Sequence, residues 1–371
     1  MYTYERLGVP RVLNASGKMT RLGGSVLAPS VLRAMAEASG AYVELDELKA
    51  RAGAVIAGFT GAEAAWVTSG AAAGIAVMTA AVVAGADPAR VARLPNADWE
   101  PRSVLIQAGH WVNFGAPVEQ MVRLGGGRPV AVGAPTHVTA EELRAALQPE
   151  TAAVLFVQSH HAAQAGMLTL DQVLGTTERR VPVLVDAAAE EDLRRFIAAG
   201  ADLVTYSGGK AFEGPTSGFV VGRAALVEAC RAQERGLARA MKVGKEGILG
   251  LLAALDAYVT RDEAAERGRQ RATVAELLDA LAGLPHTRVA EAPDEAGREI
   301  VRVALSPDAR VLGFTAVDLA RALAEGTPRV MVRAHRARAG TIALDPRPLA
   351  QADVPVLVDA INAAYRRLGA R

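Results

Sequence analysis

Residues 203–212 read LVTYSGGKAF, an apolar run that stops at Ser207-Gly208-Gly209 and presents one lysine, Lys210. The aliphatic and β-branched residues read as a strand apolar on both faces. The two glycines allow a tight turn at its end. A surface lysine needs no such preparation. The C-terminal end of a buried strand is where open α/β sheets carry ligands.

Outward from this stretch, strand-like runs occur at 64–68, 103–107, 152–158, 181–186, 203–208 and 218–222. Amphipathic helical patterns lie between them at 70–84, 113–123, 139–147, 170–179 and 190–199. GGGRP at 125–129 reads as a turn that ends a helix and begins a strand. Strands apolar on both faces and separated by helices predict an α/β fold with a largely parallel, covered sheet. Helical patterning dominates from about residue 224, and its longest stretch runs from Glu246 to Ala282, stopped by Gly283. EIVRVALS, a helix at 315–325, RVMVRAH, TIALD and a last helix at 353–368 predict a small α+β domain. The segment 86–101 (ADPARVARLPNADWEP) reads as a mobile insertion. The expected division is an N-terminal arm (1–25), a large α/β domain (26–260), and a long helix with a small C-terminal domain (261–371).

Composition narrows the function. With 371 residues, half of them apolar, and a formal net charge of +1, the chain has a sizeable core and no broad polyanion-binding surface. Aromatic residues make up 4%, too few for base-stacking platforms, so no nucleic-acid partner is expected. The one cysteine, Cys230, supports neither a disulfide framework nor a thiolate zinc site. MYTYERLGVP has no signal-type apolar core, and no apolar run reaches the roughly 18–20 residues of a membrane span. A cytoplasmic protein is expected, without a membrane partner.

An amine becomes a nucleophile when its pKa is lowered by burial and nearby dipoles. One strand before Lys210, VPVLVDAAAE carries Asp186 to the end of an apolar run. A carboxylate there is costly unless it meets a cation, and a protonated pyridine nitrogen is such a cation. A Schiff-base lysine with an aspartate facing a pyridinium is the signature of pyridoxal 5'-phosphate. WVTSGAAAGI then supplies a phosphate cradle, because Thr68-Ser69-Gly70 leads from a strand into a helix N-terminus. Cradle, aspartate and lysine occur in that order along the chain.

These segments carry a family resemblance. ADLVTYSGGKAFEGPTSGFVVGR, GVPRVLNASGKMTRLGGS, VTSGAAAGIA, VPVLVDAAAE and RAMKVGKEGILGLLAALDAY resemble fold-type-I pyridoxal-phosphate enzymes. Within these they are most similar to the selenocysteine synthase / D-glucosaminate-6-phosphate ammonia-lyase branch, over residues 8–260 and more weakly beyond. The resemblance implies an aspartate aminotransferase-like large domain with a mostly parallel seven-stranded sheet. It implies that Lys210 carries the cofactor, Asp186 holds its ring nitrogen, and Ser69, Gly70 and Ser207 contact its phosphate. Thr216, in the GPTS turn, is the candidate for completing a partner subunit's phosphate cup. The shared LNASG motif is reached by residue 13, so the tRNA-gripping domain of selenocysteine synthase is not expected. MTRLGGS, SGAAAG and MKVGKE place the chain nearer the ammonia-lyase side.

Other polar residues are candidates in the same frame. QAGHWVNFG follows a strand, where such enzymes place a ring against the cofactor; His110 is the choice and Trp111 the competitor. SHHAAQAG holds His160 and His161, either of which could face the cofactor or decorate a loop. No third ligand follows at metal spacing, so no metal is expected. Asn14, Thr20 and Arg21 lie in the arm, which the resemblance runs across an active site, with Arg21 suited to a carboxylate or phosphate. Lys242, with Lys245, and Arg333 at the end of RVMV are further candidates for an anionic substrate.

The expected reaction is α,β-elimination on a small β-hydroxy amino acid or amino-sugar acid, giving ammonia and a 2-oxo acid. Lys210 removes the α-proton, and Lys210 or His110 assists the departing hydroxyl. Aldolase, racemase or aminotransferase chemistry remains open, as do selenocysteine synthase-like transfer on aminoacyl-tRNA and a non-catalytic partner subunit. A homodimer or higher homo-oligomer is expected, since active sites of this family lie at subunit boundaries.

Overall fold

Seven residues of uninterrupted apolar or small character, TAAVLFV, form a strand buried along its whole length. Such a strand is stable only between two covering layers, and that requirement organises the larger part of the chain. The computed structural model describes residues 2–159, 161–295 and 297–370. In chain order the strands among these residues begin with β1 (Val12–Ala15), β2 (Ala64–Thr68), β3 (Ser103–Gln107), β4 (Arg128–Val132), β5 (Thr151–Val157) and β6 (Val183–Asp186). They continue with β7 (Leu203–Ser207), β8 (Gly218–Gly222), β9 (Thr287–Pro293), β10 (Val301–Pro307), β11 (Arg329–Val332) and β12 (Ile342–Leu344). The first helices are α1 (Pro29–Ser39), α2 (Leu45–Thr60), α3 (Ala71–Ala84), α4 (Pro88–Arg93) and α5 (Val118–Leu124). The chain forms two compact units, Gly24–Thr260 and the residues up to Gly23 together with those from Arg261.

The larger unit holds a seven-stranded sheet in the order β2-β8-β7-β6-β5-β3-β4. Its strands are parallel except β8, which runs antiparallel to both neighbours. Successive side chains of β5 to β7 alternate between two apolar layers. Val154, Phe156, Val183, Val185, Val204 and Tyr206 pack on one face. Ala153, Leu155, Val157, Leu184 and Leu203 pack on the other, with Ile75 and Met78 of α3. α3 is apolar on nearly every side and lies in the interior, as its alanine-rich sequence requires.

Four local expectations are corrected. Residues 86–101 are packed: α4 occupies 88–93, Val91, Leu94 and Ala97 join a small core, and the Trp99 indole donates to the Val83 carbonyl at 2.9 Å. Glu246–Ala282 is two helices, Lys245–Thr260 and Glu263–Leu281, because the Asp262 carboxylate accepts the Ala265 N–H at 2.9 Å and starts a new helix. The helix expected at 113–123 begins at Val118, after Pro117, whose ring disfavours helical backbone at the residue before it. The helix expected at 190–199 covers Arg195–Ala199, since the Asp192 side chain accepts the Arg194 and Arg195 amides in a turn.

In the smaller unit, β9, β10 and β12 form an antiparallel sheet in the order β12-β10-β9. The N-terminal segment, read from sequence as an arm, contributes β1, which pairs in parallel with β11 through Leu13–Val330 and Ala15–Val332. Ala15 is fully buried in that unit's core beside Val332 and Leu344. Among the described residues no helix is long and apolar enough to cross a membrane.

Candidate active site

The candidate site lies along the C-terminal ends of the central strands of the larger unit. Asp186 is the last residue of β6, opposite Val157 of β5 and Thr205 of β7. Its carboxylate is 4% exposed, and its Oδ1 accepts the Ala188 N–H at 3.1 Å. Burial raises its pKa to about 6, while the Lys210 ammonium and the Ala188 amide pull it down only in part. Asp186 and Lys210 therefore lie close enough to interact electrostatically.

Lys210 sits in the loop that leaves β7. The Gly208 N–H donates to the Ser217 carbonyl at 2.8 Å, and the Gly214 N–H returns to the Gly208 carbonyl at 2.8 Å. The Glu213 N–H donates to the carbonyl of Lys210 itself at 3.3 Å. These bonds tie both ends of the loop to the paired strands β7 and β8. The Ser207 N–H also reaches the Ala188 carbonyl at 3.3 Å, joining the lysine loop to the turn after Asp186.

The N-terminus of α3 faces the same edge. Gly218 of β8 pairs with Thr68 on one side and Ser207 on the other. A Cβ on Gly218 would lie 2.7 Å from the Gly70 carbonyl carbon, so Gly70 passes directly over it. Ser69, Gly70 and Ser207 thus converge. One turn along α3, a Cβ on Gly74 would lie 1.9 Å from Thr205 Oγ1, which sets the helix against the lysine strand. Thr68 Oγ1 donates to the Gly70 carbonyl at 3.1 Å, no side chain caps α3, and no acidic residue lies in its first turn. Its leading amides and positive dipole end suit a phosphate.

His110 closes the other end of the row. It is fully buried, and its Nδ1 accepts the N–H of Val157, the register partner of Asp186, at 3.2 Å. Its ring stands edge-on to Phe156, with centroids 4.8 Å apart. Burial lowers its pKa to about 4, and a hydrogen-bond contribution from the Ala163 backbone opposes this only in part. The imidazole is neutral at pH 7. Trp111, the competing ring, is half-buried and packs among apolar residues of the α3 face.

The remaining candidates lie elsewhere. Thr216 and Lys242 are exposed in the larger unit. Lys245 is engaged, pairing with Glu246 at 3.0 Å and donating to the Ala38 carbonyl. His161 is exposed, and its N–H donates to Ser159 Oγ at 3.2 Å; His160 lies outside the described residues. Asn14, Thr20, Arg21 and Arg333 belong to the other unit. Asn14 organises its own turn, donating to the Gly17 carbonyl at 3.0 Å and accepting the Ser16 amide at 2.9 Å. Thr20 and Arg21 are exposed in a short turn. Arg333 is 7% exposed and pairs with Glu295 at 3.1 Å, beside an internal network in which Arg302 bridges Asp294 and Asp345.

The sequence reading missed Gly74, Gly218 and Thr205, which bring cradle and lysine together. The only signal was glycine at 74 and 218, helix and strand positions that pattern alone would fill with a side chain; Thr205 carried none. Taken together, the row offers an anion site at α3, a buried acid able to face a cation, and an amine between them. Pyridoxal phosphate has the matching phosphate, ring nitrogen and aldehyde, so these residues fit it.

This arrangement defines the class as a fold-type-I enzyme, and the comparisons agree. The solved structure of a D-glucosaminate-6-phosphate ammonia-lyase superposes with a TM-score of 0.89 at 40% identity, covering 99% of both chains. Sphingomonas wittichii serine palmitoyltransferase shares the fold at a TM-score of 0.59 and 16% identity, over 97% of this chain and 88% of its own. A family model described as SelA, L-seryl-tRNA selenium transferase, matches residues 183–284.

Full-length similarity is more specific. The D-glucosaminate-6-phosphate ammonia lyase of Salmonella typhimurium (strain 14028s / SGSC 2262) is 43% identical over 356 residues, 96% of this chain and 95% of that protein. A 5'-C-glycyluridine monooxygenase-decarboxylase of Streptomyces sp is 42% identical over 349 residues, 93% of this chain and 88% of that one. The chain belongs to the D-glucosaminate-6-phosphate ammonia-lyase family, within the wider selenocysteine synthase-like branch.

Proposed function

We propose that this protein is a pyridoxal-phosphate-dependent lyase that eliminates the β-hydroxyl of a small β-hydroxy amino acid or amino-sugar acid and releases ammonia and a 2-oxo acid, the water lost in elimination being returned on hydrolysis. The observation that carries the reading is the electrostatic interaction of Asp186 with Lys210 beside the uncapped end of α3. The 43% identity to an ammonia lyase supports elimination. When bound, the cofactor supplies an electron sink for the pair left at the substrate Cα.

The chain's own groups do the rest. The leading amides of α3, with Ser69, Gly70 and Ser207, hold the phosphate. Asp186 keeps a proton on the ring nitrogen. Lys210 Nζ anchors the cofactor, then takes the Cα proton and delivers a proton to the departing β-oxygen. His110, neutral at pH 7 with its Nδ1 already accepting the Val157 N–H, is suited to packing on the ring rather than to acting as the acid. Rearrangement and hydrolysis of the dehydrated product give a 2-oxo acid and ammonia. Asn14, Thr20, Arg21, His161, Lys242 and Arg333 are the candidates for gripping the substrate's anionic groups. The reading includes a cytoplasmic homodimer or larger closed oligomer in which Thr216 completes the partner's phosphate cup.

The test is an absorption spectrum of wild type and Lys210→Ala after incubation with pyridoxal phosphate, followed by borohydride. A visible band fixed by borohydride in wild type alone supports the assignment; no band in either overturns it. A screen of β-hydroxy amino acids and amino-sugar acids for 2-oxo acid and ammonia then tests the reaction. The 42% identity to a monooxygenase-decarboxylase favours a second reading, oxidative decarboxylation of an amino acid group on a nucleoside. Oxygen uptake with carbon dioxide release from a glycyl-substituted nucleoside added to the screen would identify it.

A further inference from the structure

The lysine loop is also held by a segment far from its own strands in sequence. Ser25 Oγ lies 3.3 Å from the Gly209 carbonyl oxygen and 3.3 Å from that of Lys210, across 185 residues of sequence. One hydroxyl proton serves both acceptors, as a shared or alternating bond. The residue before it reinforces the contact. Gly24 has φ +81°, and a Cβ there would lie 2.6 Å from the same Gly209 carbonyl oxygen. Any other side chain would therefore be strained in backbone and would collide with backbone that cannot yield. Gly24-Ser25 is thus pressed against the peptide from which the Lys210 side chain departs.

We propose that Ser25 is a positioning residue for Lys210, its hydroxyl fixing the Gly209 and Lys210 carbonyls and so the origin of the lysine side chain. The proposal rests on the reading of Lys210 as the amine that anchors the cofactor and moves the Cα proton. A lysine stem has four rotatable carbons, so only its backbone origin can be held rigidly. An amine that serves two atoms in turn loses rate steeply when that origin shifts by even about 1 Å. The bonds from Gly208, Glu213 and Gly214 hold the loop to β7 and β8. Ser25 acts on the lysine peptide from a separate segment.

The test compares wild type, Ser25→Ala and Ser25→Thr. Hydrogen exchange is measured across 207–214 in cofactor-free protein. The pyridoxal-phosphate-loaded proteins are titrated by absorbance, and kcat and KM are measured separately. Ser25→Ala is expected to speed loop exchange about fivefold, the size of one lost hydrogen bond. It is also expected to shift the pH midpoint of the visible band and to lower kcat with KM nearly unchanged. Ser25→Thr, which keeps the hydroxyl, is expected to restore all three.

Unchanged exchange and an unchanged midpoint in Ser25→Ala would overturn the proposal, as would an effect confined to KM. If Ser25→Ala does not fold, Ser25→Cys keeps the volume with a weak donor and is judged by the same outcomes. Failure of wild type to trap the cofactor on Lys210 would overturn the functional reading itself. The exchange measurement in cofactor-free protein separates that failure from loss of the Ser25 contact.

Discussion

The Asp186 carboxylate lies in the field of the Lys210 ammonium, yet burial outweighs that attraction and raises its pKa from 3.8 to about 6. In the cofactor-free protein the folded state then holds this proton more tightly than the unfolded chain. The resulting stability is complete below about pH 4 and is lost as pH rises through 6. Relative to Asp186→Asn, which does not titrate, wild type should lose on the order of 2–3 kcal/mol between pH 4 and 7. Urea unfolding at a series of pH values measures the difference. Loading with pyridoxal phosphate should flatten it, because a ring cation stabilises the ionised acid.

His110 carries the opposite sign. Its folded pKa of about 4 lies below the ordinary 6.5, so its contribution is present above pH 6.5 and is lost as pH falls through 4. A His110→Gln protein should be less sensitive to acid than wild type over that window, judged by the same unfolding series. If both lose stability equally between pH 6.5 and 4, the imidazole is not held neutral by burial.

Gly74 is predicted to be intolerant of a side chain. Gly74→Ala places a methyl 1.9 Å from Thr205 Oγ1 and 2.8 Å from its Cβ. Overpacking of this kind costs about 1–3 kcal/mol, read as a lower Tm. It should also weaken cofactor retention by moving the start of α3. Thr205→Ala made together with Gly74→Ala should recover part of the loss, since residues in contact do not act additively.

Asp262 starts the second of the two helices that replace the single one expected over Glu246–Ala282. Asp262→Ala removes its bond to the Ala265 amide and should cost about 1 kcal/mol in chemical denaturation, with cofactor binding unchanged. Loss of cofactor binding in that variant would contradict the assignment of the site to the larger unit.

Alternating apolar runs and turn residues were enough to read most of the sheet, because strand burial and helix caps are written locally. Asp186 and Lys210 were legible for a related reason. A charge at the end of an apolar strand must be matched by something, and the polypeptide nearby offers little. The break at Asp262 was missed since helix-forming residues continue on both sides of it, and the cap that separates the helices is a single side chain. The packed state of 86–101 was missed because its anchors, Trp99 to Val83 and Val91 in a small core, are contacts to α3 that local polarity does not report.

The sequence by itself determined the fold class and the candidate lysine, aspartate and phosphate-facing helix, since each is a local arrangement of charge, glycine and apolar residues. The tertiary structure alone decided how they meet. Gly218 lets Gly70 pass over it, Thr205 receives Gly74, and Ser25 reaches Lys210 across 185 residues. It also placed Asn14 in a strand of the smaller unit, where β1 joins β11. These are relations of register and close approach between distant segments, and such relations exist only once the sheet has formed.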